Sequence, residues 1–179
     1  YAAKDGDQGR SLDLVLFVNG IPMATAELKN PLTGQNVNDA KLQYVQDRDP
    51  RELLFTKRTL VHFAVDSELV FLTTKLAGKS TRFLPFNTGS EGPGRTGGAG
   101  NPLPSPDRSG YRTAYLWEQV WDADNWLDLL ERFIHVKRDK DDKGRRRETV
   151  IFPRFHQWHA VRSLVDHAAR HGAGHNYLI

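Results

Sequence analysis

Two runs of apolar residues flank an Asn-Gly pair near the start of the chain. The runs cover residues 12–18 and 21–28, and Asn-Gly between such runs is the strongest short-range signal for a β-hairpin. Asp13 opens the first predicted strand, and Glu27 and Lys29 close the second. Because residues two apart on a strand share a face, the Glu27 carboxylate and the Lys29 ammonium are predicted to point the same way.

The length of the hairpin loop decides whether Asp13 joins that face. A two-residue loop pairs Asp13 with Ala26 and turns its side chain away from Glu27. A three-residue loop pairs Asp13 with Thr25 and brings all three polar side chains to one face. We favour the three-residue loop, or an equivalent bulge near Pro22.

The next segments alternate between helical and strand periodicity. Apolar residues recur at helical spacing between residues 34 and 49, which predicts a helix. Residues 59–66 and 69–74 are rich in β-branched and apolar side chains and predict two strands that extend the sheet. His62 lies in the first of these strands, and we interpret it as a hydrogen-bonded core histidine.

The second half of the chain begins with a loop. Residues 89–110 hold seven of the 15 glycines. This segment has too few apolar side chains to form a packed element of its own, so we expect a long loop. Residues 115–136 predict one or two helices, with Asp124 or Asn125 as the N-cap of the second. An apolar helical face follows from Pro153 and ends at Gly172, after which Asn176 begins a predicted strand.

Composition narrows the class of protein. A chain of 179 residues without cysteine suits a reducing, cytoplasmic setting and is long enough for one domain and part of another. No apolar run approaches the roughly 20 residues that a membrane span needs. The chain starts with Tyr1, so we expect the natural N-terminus to lie upstream.

Charge is concentrated in one segment. The formal net charge is +3, and residues 137–148 alone carry seven basic and four acidic side chains. The remainder is therefore neutral overall, and any contact with nucleic acid must come from local patches. We interpret residues 138–150 as a charged linker between two units.

The spacing Asp13-x13-Glu27-x-Lys29 on a hairpin resembles the metal-dependent nuclease core shared by many restriction endonucleases. The continuation through residues 27–35 is similar to the motor-and-nuclease (R) subunit of type I restriction enzymes. That resemblance extends through Phe-Leu-Pro-Phe-Asn at 83–87, Tyr-Leu-Trp-Glu at 115–118 and Phe-Pro-Arg-Phe-His-Gln at 152–157.

The resemblance implies an α/β fold in two parts. Residues 1–137 would form a restriction-endonuclease-like domain, a mixed β-sheet flanked by helices. After the linker, residues 151–179 would begin a helicase-type (RecA-like) ATPase domain, truncated before its phosphate-binding loop. Without that loop we expect this chain not to hydrolyse ATP. ATP would be a cofactor of the full-length subunit only.

The resemblance also assigns roles to individual residues. Asp13 and Glu27 would bind Mg²⁺ with the Leu28 carbonyl, and Lys29 would act on the attacking water or the scissile phosphate. Gln43 matches a glutamine that supports the metal site or contacts the DNA backbone.

In the family a tyrosine follows that glutamine four positions later, where this chain has Asp47.

In the second unit, the resemblance implies that Gln157 would recognise adenine, supported by Arg154.

The implied function is Mg²⁺-dependent cleavage of double-stranded DNA within an ATP-driven type I restriction enzyme. Its partners would be the methyltransferase (modification) and specificity subunits, with no membrane. Two alternatives stay open at this point. The chain could be a non-catalytic docking or DNA-binding module of the same assembly, or Glu27 and Lys29 could be an exposed surface pair of little energetic value.

Overall fold

The computed structural model of the chain describes residues 9–104, 110–140 and 144–177. A five-stranded sheet forms its centre, and its strands follow one another in chain order. They are β1 Leu14–Val18, β2 Ile21–Leu28, β3 Val61–Val65, β4 Val70–Thr73 and β5 Leu84–Pro85. Strands β2 and β3 run parallel, and the other neighbouring pairs are antiparallel. The mixed α/β class and the four main predicted strands are confirmed.

Helical segments cover both faces of the sheet. The first α-helix connects β2 to β3, as a parallel pair requires, and an Asn36–Asp39 capping box starts it. Asp122 caps the second helix, through a 3.3 Å hydrogen bond from the Asn125 amide, so the predicted caps Asp124 and Asn125 are wrong. The α-helices are α1 Val37–Gln46, α2 Ala123–Asp128 and α3 Phe155–His171, with single π-helical turns at Leu54–Arg58, Leu116–Val120 and Leu129–Phe133.

The first hairpin turns through two residues, so the predicted three-residue loop is wrong. Asn19 and Gly20 have φ angles of 49° and 79°, the left-handed geometry that matches the twist of the flanking strands. The predicted bulge near Pro22 is confirmed, because Phe17 pairs with Pro22 whereas the preceding residue of β1 pairs with Ala24.

Met23 is the extra residue of this bulge. Beyond it, Leu14 pairs with Ala26, and continuation of the register sets Asp13 opposite Glu27 rather than Thr25. Since Thr25 and Glu27 share a face, the predicted orientation of Asp13 is kept although its partner differs.

The sheet separates a polar face from an apolar one. In the parallel register Thr25 pairs with His62 and Glu27 with Ala64, so these side chains face α1. The intervening residues face the main hydrophobic core. That core contains residues from β2–β4, from the helical segments after residue 115, and Phe152, Phe155 and Trp158.

Aromatic packing joins the end of the chain to the sheet. The Phe63 ring lies edge-to-face with Phe86, Trp121 and Phe152, at centroid distances of 5.9, 5.6 and 5.9 Å. Residues 152–158 thus share one core with the sheet. The division of the chain into nuclease and ATPase domains stays a prediction.

The charged segment contains a pair of antiparallel strands, and its role as a linker between two units stays a prediction. Strands β6 His135–Lys140 and β7 Arg146–Ile151 pair antiparallel, and their side chains are largely exposed. Arg138 forms a 3.0 Å ion pair with Glu148 across the strands. Alternating charges of opposite sign on facing strands favour such a pair, which the residue count alone does not reveal.

The predicted long loop is irregular where it is described, and Asn101 anchors it. The buried Asn101 side chain accepts a hydrogen bond from the Thr88 amide and donates to the Glu68 carbonyl, at 2.8 and 2.9 Å. Helix α3 ends at Gly172 as predicted. The strand predicted from Asn176 falls partly on residues 178–179, which lie outside the described residues.

In the part of the chain that the structure describes, no helix has the length and apolar character of a membrane span.

We predict that Phe63→Ala will destabilise the protein by about 3–5 kcal/mol, because it removes a fully buried ring from an aromatic cluster. Phe17→Ala is the matched control, since its ring is 61% exposed, and it should change stability by less than about 0.5 kcal/mol. Urea denaturation of the two variants measures both values. Equal losses would contradict the assignment of Phe63 to the core.

Candidate active site

The structure brings Asp13, Glu27 and Lys29 together at the end of the first hairpin. The Asp13 Oδ2 atom accepts a 2.8 Å hydrogen bond from the Leu28 amide, which fixes the acid against the last residue of β2. The charges of Asp13 and Lys29 both act on Glu27, the first raising its pKa and the second lowering it. The three side chains predicted as a site therefore lie within electrostatic reach of one another.

Glu27 is fully buried, at 0% exposure, and Arg48 is its partner. The Arg48 Nε and Nη2 atoms donate to the same carboxylate oxygen, Oε1, at 2.8 and 2.5 Å. Nη2 also donates to the Ser11 carbonyl at 2.8 Å. The other oxygen, Glu27 Oε2, is buried without a hydrogen-bond partner among the described residues. An exposed Glu27–Lys29 surface pair is thus excluded.

Arg48 was not among the predicted site residues, although the sequence contains a signal for it. Val37, Ala40 and Tyr44 are the buried residues of α1, and position 48 is the next one on that face at helical spacing. An arginine placed there must find an anion, because a buried guanidinium without a partner is very unfavourable. The same reasoning points to a buried carboxylate on the sheet beneath.

Burial raises the pKa of Glu27 from 4.5 to about 7. The hydrogen bonds and charge of Arg48 oppose this rise, and Asp13 adds to it by repulsion. A group with such a pKa gains or loses its proton near neutral pH, and a cation bound at the free Oε2 atom would favour the ionised form.

A buried polar network lies beside Glu27 on the same face of the sheet. The Thr25 hydroxyl is hydrogen-bonded to the Tyr44 hydroxyl and to His62 Nδ1, at 2.8 Å in each case. Burial lowers the pKa of His62 to about 3, so its ring is neutral. The predicted hydrogen-bonded core histidine is confirmed, and the network holds α1 against β2 and β3.

Lys29 is half-buried, and its backbone continues the sheet. Its amide donates to the Val65 carbonyl at 2.8 Å, and its side chain forms no ion pair with the described residues. Leu28 meets Asp13 through its amide. The role predicted for the Leu28 carbonyl as a metal ligand stays a prediction.

Gln43 and Asp47 lie near Arg48 at the protein surface. Both line an open polar depression together with Arg10 and Arg48, and the Gln43 carbonyl accepts the Asp47 amide at 2.9 Å. Asp47 ends α1 as its C-cap residue. The support or DNA-contact role of Gln43 stays a prediction.

The residues predicted to recognise adenine lie at the start of α3. Gln157 Oε1 accepts a 2.9 Å hydrogen bond from the Arg154 amide, so this glutamine caps its own helix. No contact between the described residues joins Arg154 or Gln157 to the site around Glu27. Their proposed nucleotide role stays a prediction.

The protein has a mixed α/β fold with a bulged first hairpin. Two acids and a lysine lie together at the open end of that hairpin. Residues 1–88 match the family model HSDR_N, described as type I restriction enzyme R protein N terminus. The matched part of the chain includes β1 to β5 and α1, and the match is to the family that the sequence resemblance indicated. No curated protein and no solved structure matches the chain.

We predict that the contribution of Glu27 to stability falls as pH rises from 4.5 to about 7. His62 contributes with the opposite sign, because its folded pKa of about 3 lies below the ordinary value of 6.5 and folding is favoured as pH rises through that range. Glu27 holds its proton more tightly in the folded than in the unfolded chain, so its contribution is complete below pH 4.5 and is lost as pH rises through the folded pKa of about 7. The loss should total about 3 kcal/mol. The difference in unfolding free energy between wild type and Glu27→Gln, from urea denaturation between pH 4.5 and pH 8, measures it.

Glu27→Gln should abolish this component, whereas Glu131→Gln, at an exposed position, should keep it. A wild-type pH profile that Glu27→Gln leaves unchanged would contradict the assignment.

Proposed function

We propose that this chain carries the nuclease centre of a type I restriction enzyme R subunit and cleaves double-stranded DNA in a Mg²⁺-dependent reaction. The observation that carries the proposal is the grouping of Asp13, Glu27 and Lys29, with one oxygen of a fully buried carboxylate left without a partner. On this proposal the five-stranded sheet and α1 form a restriction-endonuclease-like core.

The residues present suit a hard divalent cation. Glu27 Oε2 and the Asp13 carboxylate supply oxygen ligands, and the Leu28 carbonyl is a third candidate. Among the described residues no group of three or more His, Cys, Asp or Glu side chains is placed to hold a metal. Mg²⁺ is compatible with two carboxylates, because it keeps several water ligands and is usually bound by only one or two carboxylates of the protein.

Each protein group then has a distinct task. The Leu28 amide orients Asp13, and Arg48 orients Glu27 through Oε1 and leaves Oε2 without a hydrogen-bond partner. Lys29 would stabilise negative charge that develops on the phosphate or help to remove the proton from the attacking water. Bound Mg²⁺ would supply the remaining charge neutralisation and lower the pKa of a coordinated water.

One observation favours the alternative of a non-catalytic docking or DNA-binding module. Arg48 already neutralises Glu27, so the electrostatic attraction of the site for a second cation is reduced. Metal binding and cleavage, measured separately, distinguish the two functions.

In the full-length subunit we propose ATP-driven, helicase-type motor activity downstream of this chain, with Gln157 and Arg154 at the adenine. DNA, the modification methyltransferase and the specificity subunit would be the partners. The support for this assembly is the family model that residues 1–88 match.

We predict that Asp13→Asn weakens Mn²⁺ binding at least tenfold, because it removes one of two negative charges at the site. Isothermal calorimetry with Mn²⁺ measures the affinity. Asp166→Asn is the control, since Asp166 lies exposed on α3, and its affinity should equal that of the wild type. Unchanged affinity in Asp13→Asn would argue for the docking module.

We predict that Lys29→Ala keeps metal binding and ATP turnover but cuts DNA about 10²–10³ times more slowly, because it removes an aimed charge from the transition state. Lys29→Arg should not restore the rate, since a guanidinium is larger and stays protonated. Plasmid linearisation by the assembled enzyme, alongside ATP hydrolysis, measures both activities.

Lys79→Ala is the matched control, because this lysine is exposed in the turn after β4. Wild-type cleavage by Lys29→Ala would place the catalytic centre elsewhere.

A further inference from the structure

An aromatic pocket of about 250 Å³ opens directly beside Lys29. Tyr111 and Trp117 form one wall, with ring centroids 6.2 Å apart in an edge-to-face arrangement, and Leu28 and Pro31 contribute apolar surface. Tyr111 is 55% exposed and Trp117 43% exposed. Large aromatic rings held half in solvent are enriched where proteins bind other molecules.

Buried hydrogen bonds fix the floor of the pocket. The Thr113 hydroxyl, fully buried, donates to the Asp66 carbonyl at 2.7 Å. The Asp66 carboxylate accepts three amides, those of Val37, Glu68 and Leu69, at 2.7–2.8 Å. The wall and floor therefore belong to the packed fold, and the pocket exists before any ligand arrives.

The chemistry of the pocket selects its occupant. Its surface is mainly apolar, and Lys29, whose charge also acts on Glu27, adds a cation to the lining. A nucleotide has this combination, with a flat base that stacks on aromatic rings and a phosphate that meets an ammonium group. The pocket and the candidate active site share Leu28 and Lys29. A DNA strand whose phosphate contacts Lys29 therefore passes the aromatic wall of the pocket.

We propose that this pocket binds an unstacked base of the DNA strand, one that neighbours the phosphate presented to Lys29. The inference rests on the proposed function, because it places the DNA backbone at Lys29. Trp117 provides the principal stacking face and Tyr111 supports it from the edge. A base at a nick, an end or a distorted step leaves the duplex at the smallest energetic cost and would enter first.

The test measures binding of two labelled single strands of equal length to the 179-residue chain by fluorescence anisotropy at fixed salt. One is oligo-dT and the other is the corresponding abasic strand, which keeps the phosphates and lacks the bases. Wild type should bind oligo-dT about five- to 100-fold more tightly than the abasic strand. Trp117→Ala should lose most of that preference, and Trp117→Phe should retain much of it.

Two controls separate stacking from other effects. Phe17→Ala removes an aromatic ring that is 61% exposed at the turn end of the first hairpin, and it should keep the preference for bases. Lys29→Ala should leave the ratio of the two affinities unchanged, because it removes one phosphate contact among many and both strands share that contact. Thermal melts of the variants establish that each is folded.

The outcomes distinguish this inference from the proposed nuclease function. Equal affinity of the wild type for both strands, or an unchanged preference in a folded Trp117→Ala variant, overturns the base-binding pocket whatever the cleavage assays show. A preference that depends on Trp117 supports the pocket even if the assembled enzyme cuts DNA normally with Lys29→Ala, a result that would overturn only the nuclease assignment.

Discussion

Glu27 is a carboxylate buried within a sheet, and Arg48 is the cation that balances it. Breaking such a pair typically costs about 3–5 kcal/mol, because the remaining charge stays buried without a partner. Arg48 reaches Glu27 from the end of α1 and also holds the Ser11 carbonyl. One guanidinium therefore ties together the strand, the helix and the segment that leads into β1, and the position of Asp13 depends on that segment.

The two faces of the sheet serve different purposes. The face toward the later helices is filled by aromatic and aliphatic side chains, with Phe63 at its centre. The face toward α1 carries the network of Thr25, Tyr44 and His62 next to Glu27. The apolar face supplies the burial energy that allows the other face to hold polar groups in a fixed arrangement.

Patterns local to the sequence predicted much of the fold. Apolar periodicity located β1 to β4, α1 and α3, because that information lies in neighbouring residues. The shared orientation of Asp13 and Glu27 was predicted from either a three-residue loop or a bulge near Pro22, and the structure has the bulge, with Met23 as the extra residue. The partner of Glu27 was missed because Arg48 is 21 residues away, and the end of a helix meets a strand only once the tertiary packing is set.

The bulge at Met23 bears on how sites of this kind are recognised in other sequences. Thirteen residues separate Asp13 from Glu27, and one of them serves only to kink β2. A flat hairpin with the same tight turn would set the two acids opposite each other with one residue fewer between them. The interval between the acids is therefore not a constant of the chemistry. A single deletion in β2 is tolerable when it removes the bulge, whereas the same deletion in a flat hairpin would turn one acid to the wrong side of the sheet.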